Sequence, residues 1–421
     1  MSAAPGNRLA WSDLNGQAAL DAAPDNLEDL EGSHAVLVPG PTYRVPLFPL
    51  EGVVLCPGDT LPLKLQHPAD QAMAQRAVQA APPLKGLIAV ACLQQLSRWR
   101  HVIPRVGCLA QIKQLRLQDD GTLCMVCKGR ERALLLVQSA SQQVEEQVSL
   151  QLLPDPPVLA VPRPVMAAAS YWAPWAYRPF DAYRLAGQAR QLLAAVAPHV
   201  PAFRGDPLAL SYWLVSNLPL DDSTRQQLLE AHSAADRLQR EVQLLRGMGA
   251  VRCRGCHSQV GSLRDVVQMS EEGVSGCYVN PHGVVHDIFM LGKVQGLVLE
   301  GSPQTDSSWF PGYAWTVAYC RRCWRHLGWR FTAVTAGLQP RCFYGLRRCT
   351  IQGATFAPQA PPSAYDSEEW ETQDGSPPST DGLSGLTTDE LALLAEELED
   401  ESGAESGGEP EALQLLEGEE G

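Results

Sequence analysis

The sequence has no apolar run approaching the roughly 18 residues that a membrane-spanning helix needs, so no helical membrane span is expected. Its N-terminus is polar and lacks the apolar stretch of a secretory signal, and no Asn-x-Ser/Thr acceptor occurs. No dense Lys/Arg run appears either, which argues against direct nucleic-acid binding. The Gly-x4-Gly-Lys-Ser/Thr loop that cradles nucleotide phosphates is missing. At Gly292-Lys293, the one partial match, Asp287 stands where the first Gly belongs and Val294 where Ser or Thr belongs. From Ile351 onward there is no Lys or Arg against 19 Asp and Glu, so the net charge of −14 sits in a tail and the first 350 residues carry about +5. These absences leave a chain expected in the cytoplasm and nucleus.

What is present is enough to build cores. Hydrophobic residues make up 45% of 421, which suits two or three domains. Residues 1–42 are rich in Gly, Ala and Asp without periodicity and read as disordered. From Val45 the texture changes: 45–50, 53–58 and 60–65 are short apolar runs broken by Pro and Gly. More follow at Gly86–Leu93, Gly107–Leu115, Leu123–Lys128 and Arg132–Ser139. That spacing predicts a compact, mostly antiparallel β domain. From Met166 helices are expected. Leu208–Leu218 reads as one, and Asp221–Leu245 as another, capped by Asp221 or Asp222, with Leu228, Ala231, Ala235, Leu238, Val242 and Leu245 on one face. The pattern lasts under four heptads, which favours packing on the β domain over a self-associating coiled coil.

Several of the 12 cysteines lie in Cys-x-x-Cys pairs, which in an intracellular chain reads as metal rather than disulfide. Cys253-Arg-Gly-Cys256 and Cys320-Arg-Arg-Cys323 are two such knuckles with 63 residues between them. Zinc favours four thiolates in a tetrahedron, and each tight turn can supply two. One structural Zn2+ on Cys253, Cys256, Cys320 and Cys323 would staple two distant ends of a β domain, and four Cys leave no open position for hydrolysis. Cys124 and Cys127 form a third pair inside a predicted strand, where alternation sends them to opposite faces, so they read as packing residues.

Four of the ten Trp fall within 309–329: Trp309, Trp315, Trp324 and Trp329, with Phe310, Tyr313 and Phe331 among them. Pro311-Gly312 supplies a turn between flanking aromatics, and alternation places Trp329 and Phe331 on one strand face. A single Trp usually supplies core packing. A cluster beside a turn exceeds that need and can wall a small pocket. Two ligand classes fit: a methylated ammonium held by cation–π attraction, or a neutral ring amide held by apolar walls and backbone groups.

The segments 45–50, Pro57-Gly58, Leu61–Leu63 and His67-Pro68, with 218–222 and 226–230, resemble the amino-terminal domain of Lon proteases over about residues 43–247. Further on, 278–283, His286, 308–317, Cys320, Cys323, His326 and 328–331 are similar to the cereblon family, and with the Lon-like part the resemblance spans about 43–350. It implies the substrate receptor of a cullin-4 ubiquitin ligase, joined through the adaptor damaged-DNA-binding protein 1. It also implies a pocket for cyclic imides, glutarimides of the thalidomide type, or imide-ended protein C-termini. By position the cage walls would be Trp309, Trp315, Trp329 and Phe331. The imide would meet backbone around Ser307 and Trp309, Asn280 and His282 would roof the pocket, and His286 and Trp329 would lie where a substrate docks. The family's His before the Ser-Trp pair is Ser307 here, and its Tyr after Asn-Pro-His is Val284. The adaptor-binding stretch, 166–218, is the weakest match.

The expectation is therefore an α+β, multidomain chain. Residues 43–247 are a Lon-like β domain whose helical adaptor-binding segment covers about 166–247, and 248–356 are an antiparallel-β zinc domain with the tryptophan pocket. Residues 357–421 are an acidic disordered tail, in which Thr387 and Glu390 could cap a short helix carrying Leu391, Leu394 and Leu398. The function expected is a non-catalytic receptor. Two alternatives stay open: a methyl-lysine or small-molecule binding module, and an enzyme like methionine sulfoxide reductase using Cys277 or Cys342.

Overall fold

The computed structural model describes residues 37–95, 101–136, 147–158, 178–200, 202–270 and 272–353, together with the backbone of Glu28–Asp29. All of them belong to one compact unit. The expectations for most of 1–36, for 166–177 and for the acidic tail lie outside the described residues. No helix among the described residues is long and apolar enough to cross a membrane.

Among the described residues eight strands build the first half: β1 (Glu28–Asp29), β2 (Thr42–Glu51), β3 (Thr60–Leu65), β4 (Leu87–Gln95), β5 (His101–Val102), β6 (Val106–Leu117), β7 (Leu123–Leu136) and β8 (Gln147–Leu152). The pairing β6-β4-β2-β8-β7 returns from β7 to β6, so five strands close a ring, with β1, β3 and β5 added to it. Strand β2 changes partner along its length. Thr42–Pro46 pairs antiparallel with β8, and Leu47–Glu51 pairs parallel with β4, the one parallel pairing among the named strands. That handover explains how a strand can carry Pro46 and Pro49: neither half needs a ladder bond on both sides throughout. Helix α1 (Pro68–Gln79) covers one side through Met73, Ala74 and Ala77.

Two details depart from the sequence reading. Val53–Gly58 is not a strand, although Val53, Val54, Leu55 and Cys56 are buried. Apolarity marked it as interior and could not fix its backbone. Leu123–Lys128 and Arg132–Ser139 are one strand, β7, out to Leu136, bent where its register with β6 shifts.

Among the described residues four helices follow: α2 (Ala182–Val196), α3 (Pro207–Asn217), α4 (Asp222–Leu229) and α5 (Ala234–Gly247). Each starts on a polar cap, Asp181, Asp206, Asp221 and Ser233 respectively. The single helix expected over Asp221–Leu245 is two. Asp221 caps the first by accepting from Thr224 N at 2.8 Å. Ser233 then restarts the chain: its hydroxyl accepts from Asp236 N at 3.2 Å, and Asp236 accepts from His232 N at 3.2 Å. Leu228, Ala231, Leu238, Val242 and Leu245 are all buried, so one apolar stripe runs across a break that periodicity cannot see.

The second half holds β9 (Ala250–Cys253), β10 (Gln259–Ser262), β11 (Ser275–Val279), β12 (Val285–Leu291), β13 (Leu297–Gln304), β14 (Tyr313–Cys320), β15 (His326–Ala333), β16 (Cys342–Arg347) and β17 (Ile351–Gln352). A six-stranded antiparallel sheet runs β11-β12-β16-β15-β14-β13, and β10-β9-β17 form a second, smaller sheet. Strand β13 is the outer edge. Its register with β14 breaks between Glu300 and Gln304, where Gly301 takes φ +83° and Pro303 follows.

A buried ionic knot joins the halves. Arg225 on α4 donates to Asp287 on β12 and, at 2.6 Å, to Val54 O, while Arg348 Nε lies 3.1 Å from the other Asp287 oxygen. Arg348 also reaches the carbonyls of Val215 and Leu218 at 3.2 Å each, and that of Ser216. Two guanidiniums held by one carboxylate and a ring of carbonyls fix the register between domains at little net gain in stability.

Candidate metal centre and aromatic cage

The two knuckles are near-copies of one another. His257 N donates to Cys253 O at 2.8 Å, and Trp324 N donates to Cys320 O at 2.9 Å. Cys253 N donates to Ser258 O at 2.9 Å, and Cys320 N to Arg325 O at 2.9 Å. In both, the residue after the second Cys is left-handed, with φ +58° at His257 and +56° at Trp324. These turns aim the four sulfurs at one point: all lie within 4.8 Å of one another, and the pairs Cys253–Cys323 and Cys256–Cys320 are 3.6 Å apart. Tetrahedral Zn–S bonds of about 2.3 Å require sulfurs about 3.8 Å apart. The donor set and its spacing fit one structural zinc. Gly255 lies against the second knuckle: a Cβ on it would come 2.8 Å from the side-chain Nε of Arg325. Ser258 Oγ, 3.1 Å from Cys256 Sγ, draws that thiol down to about 6, and burial pushes Cys253 up to about 12. A dication supplies the stabilisation that holds all four as thiolates. Cys124 and Cys127, by contrast, are buried in β7 with burial raising both thiols.

The cage hangs on the same hairpin. Register sets Trp315 opposite Phe331 and Phe331 opposite Phe343, so the three share a face of β14, β15 and β16. Trp329, two residues before Phe331, is on that face as well. Trp309 enters from the loop before β14, packs edge-on to Trp329 with centroids 4.8 Å apart, and stacks on Tyr278 at 5.4 Å. Its Nε1 donates to Val279 O at 3.0 Å, and Trp315 Nε1 donates to Asp306 O at 2.9 Å. Two indole N–H groups are thus spent on the backbone, which locks the rings and leaves their faces as apolar walls. Trp315 and Trp329 are half-buried and Trp309 is buried.

Phe331 sits deeper than a wall. It is 1% exposed, wedged against Phe310 at 4.8 Å and stacked on Phe343 at 5.0 Å, so it forms the floor on which the cage stands. Ser307 is exposed at φ +54°, on a turn closed by Ser308 N donating to Thr305 O at 3.2 Å. Asn280 and His282 lie on the turn between β11 and β12. Asn280 Oδ1 accepts from Val284 N at 2.9 Å, one residue beyond the carbonyl that anchors Trp309. This turn is seated on the barrel: Gln66 Nε2 donates to Pro281 O at 3.0 Å, and a Cβ on Gly283 would meet Lys64 O at 2.7 Å.

Several rings line the site beyond the three indoles, and Phe343 is the one that the sequence did not single out. His286 lies 5.0 Å from Trp329 and 5.7 Å from Trp309, and His326 packs edge-on to Trp329 at 4.9 Å. Burial, then Arg347 and His326, pull His286 down to about 4, so it is neutral at pH 7. Tyr278, Phe310 and Phe343 complete the ring cluster. Tyr278 stands opposite His286 across β11–β12, a signal available only once the register is known.

Comparison with known proteins divides the chain at the same place. Residues 44–247 match the family described as the ATP-dependent protease La (LON) substrate-binding domain, and residues 250–360 match Yippee zinc-binding/DNA-binding/Mis18, centromere assembly. A solved N-terminal domain of Mycobacterium avium complex Lon protease aligns with 48% of this chain and 98% of its own, at 18% identity and a TM-score of 0.34, too low to rest the fold on. The molecule thus joins a Lon-type substrate-binding domain to a Yippee-type zinc domain. Protein cereblon of Gallus gallus is 28% identical over 350 residues, which cover 73% of this chain and 77% of that protein. Cereblon of Danio rerio is 29% identical over 351 residues, covering 73% and 80%. That of Drosophila persimilis is 36% identical over 148 residues, 35% of this chain and 24% of that protein. Over 73% of its length the chain is similar to these cereblons.

Proposed function

We propose that this protein is the substrate-recognition subunit of a cullin-4 ubiquitin ligase, attached through damaged-DNA-binding protein 1. In this reading it works in cytoplasm and nucleus and holds cyclic imides, or imide-ended protein C-termini, among Trp309, Trp315 and Trp329. The observation that carries the reading is the state of the indoles. With two N–H groups tied to backbone carbonyls and the adjoining His286 held neutral, the walls offer flat apolar faces. A flat neutral ring fits between them, and its polar edge falls to the backbone at Ser307–Trp309. Replacement of the family's His by Ser307 keeps that backbone, in a left-handed turn.

Burial of the thiols speaks for a receptor rather than a sulfoxide reductase. Cys277 is 9% exposed and burial raises its thiol well above the ordinary value. Cys342 neighbours Phe343 on β16, so alternation turns it away from the cage, toward Arg330 Nε at 3.2 Å. The test is a titration of zinc-loaded protein with thalidomide and, separately, with a trimethyl-lysine peptide. Thalidomide binding that disappears in Trp315→Ala is the expected result, and tighter binding of the charged peptide would overturn it. Capture of the cullin-4 adaptor from cells tests the ligase half.

A further inference from the structure

The zinc knuckles carry a surface that the cage does not use. Trp324 is 65% exposed and sits at φ +56°, a conformation a bulky side chain takes only at a cost. Around it Arg252, Arg321, Arg322 and Arg325 are all exposed. They border four sulfurs that lie within 4.8 Å of one another, so they share one end of the molecule. Arg254 is committed to Asp222 at 2.8 Å, but the other four make no ion pair among the described residues. No Asp or Glu occurs between Ser307 and Gly353, nor between Ala250 and Arg264. A zinc ion on four thiolates carries a formal charge of about −2, which four guanidiniums exceed. The linear sequence conceals this patch because it is assembled from two knuckles 63 residues apart.

Arg252 Nη1 donates to His257 O at 3.2 Å, so what these arginines lack is a carboxylate partner, and an exposed aromatic beside such arginines has the composition of a protein-interface hot spot. Four cations are few for a nucleic-acid track, which typically uses about six to ten phosphate contacts. Trp315 and Cys320 lie five residues apart on β14, so about 17 Å of strand separates the cage from the knuckles, within the span of one docked protein. We infer that the knuckle face is a docking surface for an acidic segment of a recruited protein. Trp324 covers an apolar side chain there, and Arg252, Arg321, Arg322 and Arg325 pair with the carboxylates beside it. The inference rests on the receptor reading above and adds a second contact to it.

The test uses the full chain, zinc-loaded, and a labelled twelve-residue Glu/Asp peptide with a central Leu. Comparison arms are the same peptide with Lys for every acid and a twelve-nucleotide oligothymidylate. The acidic peptide is expected to bind, more weakly at high salt. Binding should fall at least fivefold in the triple variant Arg321→Gln, Arg322→Gln, Arg325→Gln, and similarly in Trp324→Gly. Glycine is at ease at positive φ, so the latter variant keeps the fold, and thalidomide affinity should be unchanged in both. No acidic-peptide binding, binding indifferent to both variants, or tighter binding of the oligothymidylate would overturn the docking surface. Loss of thalidomide binding by the unsubstituted protein would instead sink the receptor reading while leaving the peptide result to stand or fall on its own.

Discussion

The two halves of this molecule are both β structures, yet they reach order by opposite means. The barrel closes on itself through β6 and β7 and fills mainly with Leu, Ile, Val and Ala, with Phe48 the one buried aromatic among its described residues. The zinc domain has an open sheet, a core of Tyr278, Trp309, Phe310, Tyr313, Phe331 and Phe343, and a metal clamp. Aliphatic chains pack by volume and tolerate repacking, whereas aromatic rings also need particular edges and faces. The half that must hold indoles at fixed angles is the half with oriented rings and a metal.

Removing zinc should set the two halves apart most sharply. Structural zinc in small domains is worth about 10–16 kcal/mol. Chelation should therefore abolish hydrogen-exchange protection across 250–353 while β2 to β8 keep theirs, and Cys320→Ser should do the same. Equal loss in both halves would mean that the barrel has no stability of its own. Next comes the knot between the halves. Asp287→Ala leaves Arg225 and Arg348 buried without their counter-ion and should cost about 3–5 kcal/mol, read as a lowered denaturation midpoint. A change under about 1 kcal/mol would show that the halves barely depend on each other.

Within the cage, Phe331→Ala should cost about 3–5 kcal/mol as a floor residue, comparable to an aliphatic deletion such as Leu109→Ala at about 2–5 kcal/mol. Half-buried Trp315→Ala should cost less stability and more ligand binding. The smallest effect is a pH slope. His286 has a folded value of about 4, below an unfolded value near 6.5, so the unfolded chain binds the extra proton between them. Stability should be complete above pH 6.5 and fall as the pH drops toward 4, and His286→Gln should flatten that slope at constant zinc content.

Sequence patterns revealed what is local and repetitive. The knuckle spacing led to four sulfurs at one point, and the Pro/Gly-broken apolar runs led to a β domain. Patterns failed where two different structures share one apolar stripe. Leu228 and Leu238 are equally buried on two helices, and only the Ser233–Asp236 cap marks the join. They also failed for contacts made by register. Nothing local announces that Phe331 meets Phe343, or that Arg225 seeks Asp287 across 62 residues. The cage residues were legible as a cluster, but their division into floor and walls depends on which strand lies next to which.

One consequence follows from the outer strand of the zinc domain. An open sheet invites a stranger's strand to add to it, and aggregation begins that way. The inner edge, β11, is sheltered by β3 of the barrel. On β13 the ladder with β14 is interrupted, Gly301 twists the backbone, and Pro303 has no N–H to offer. The domain can therefore keep a sheet wide enough to display its rings without becoming a seed for fibres.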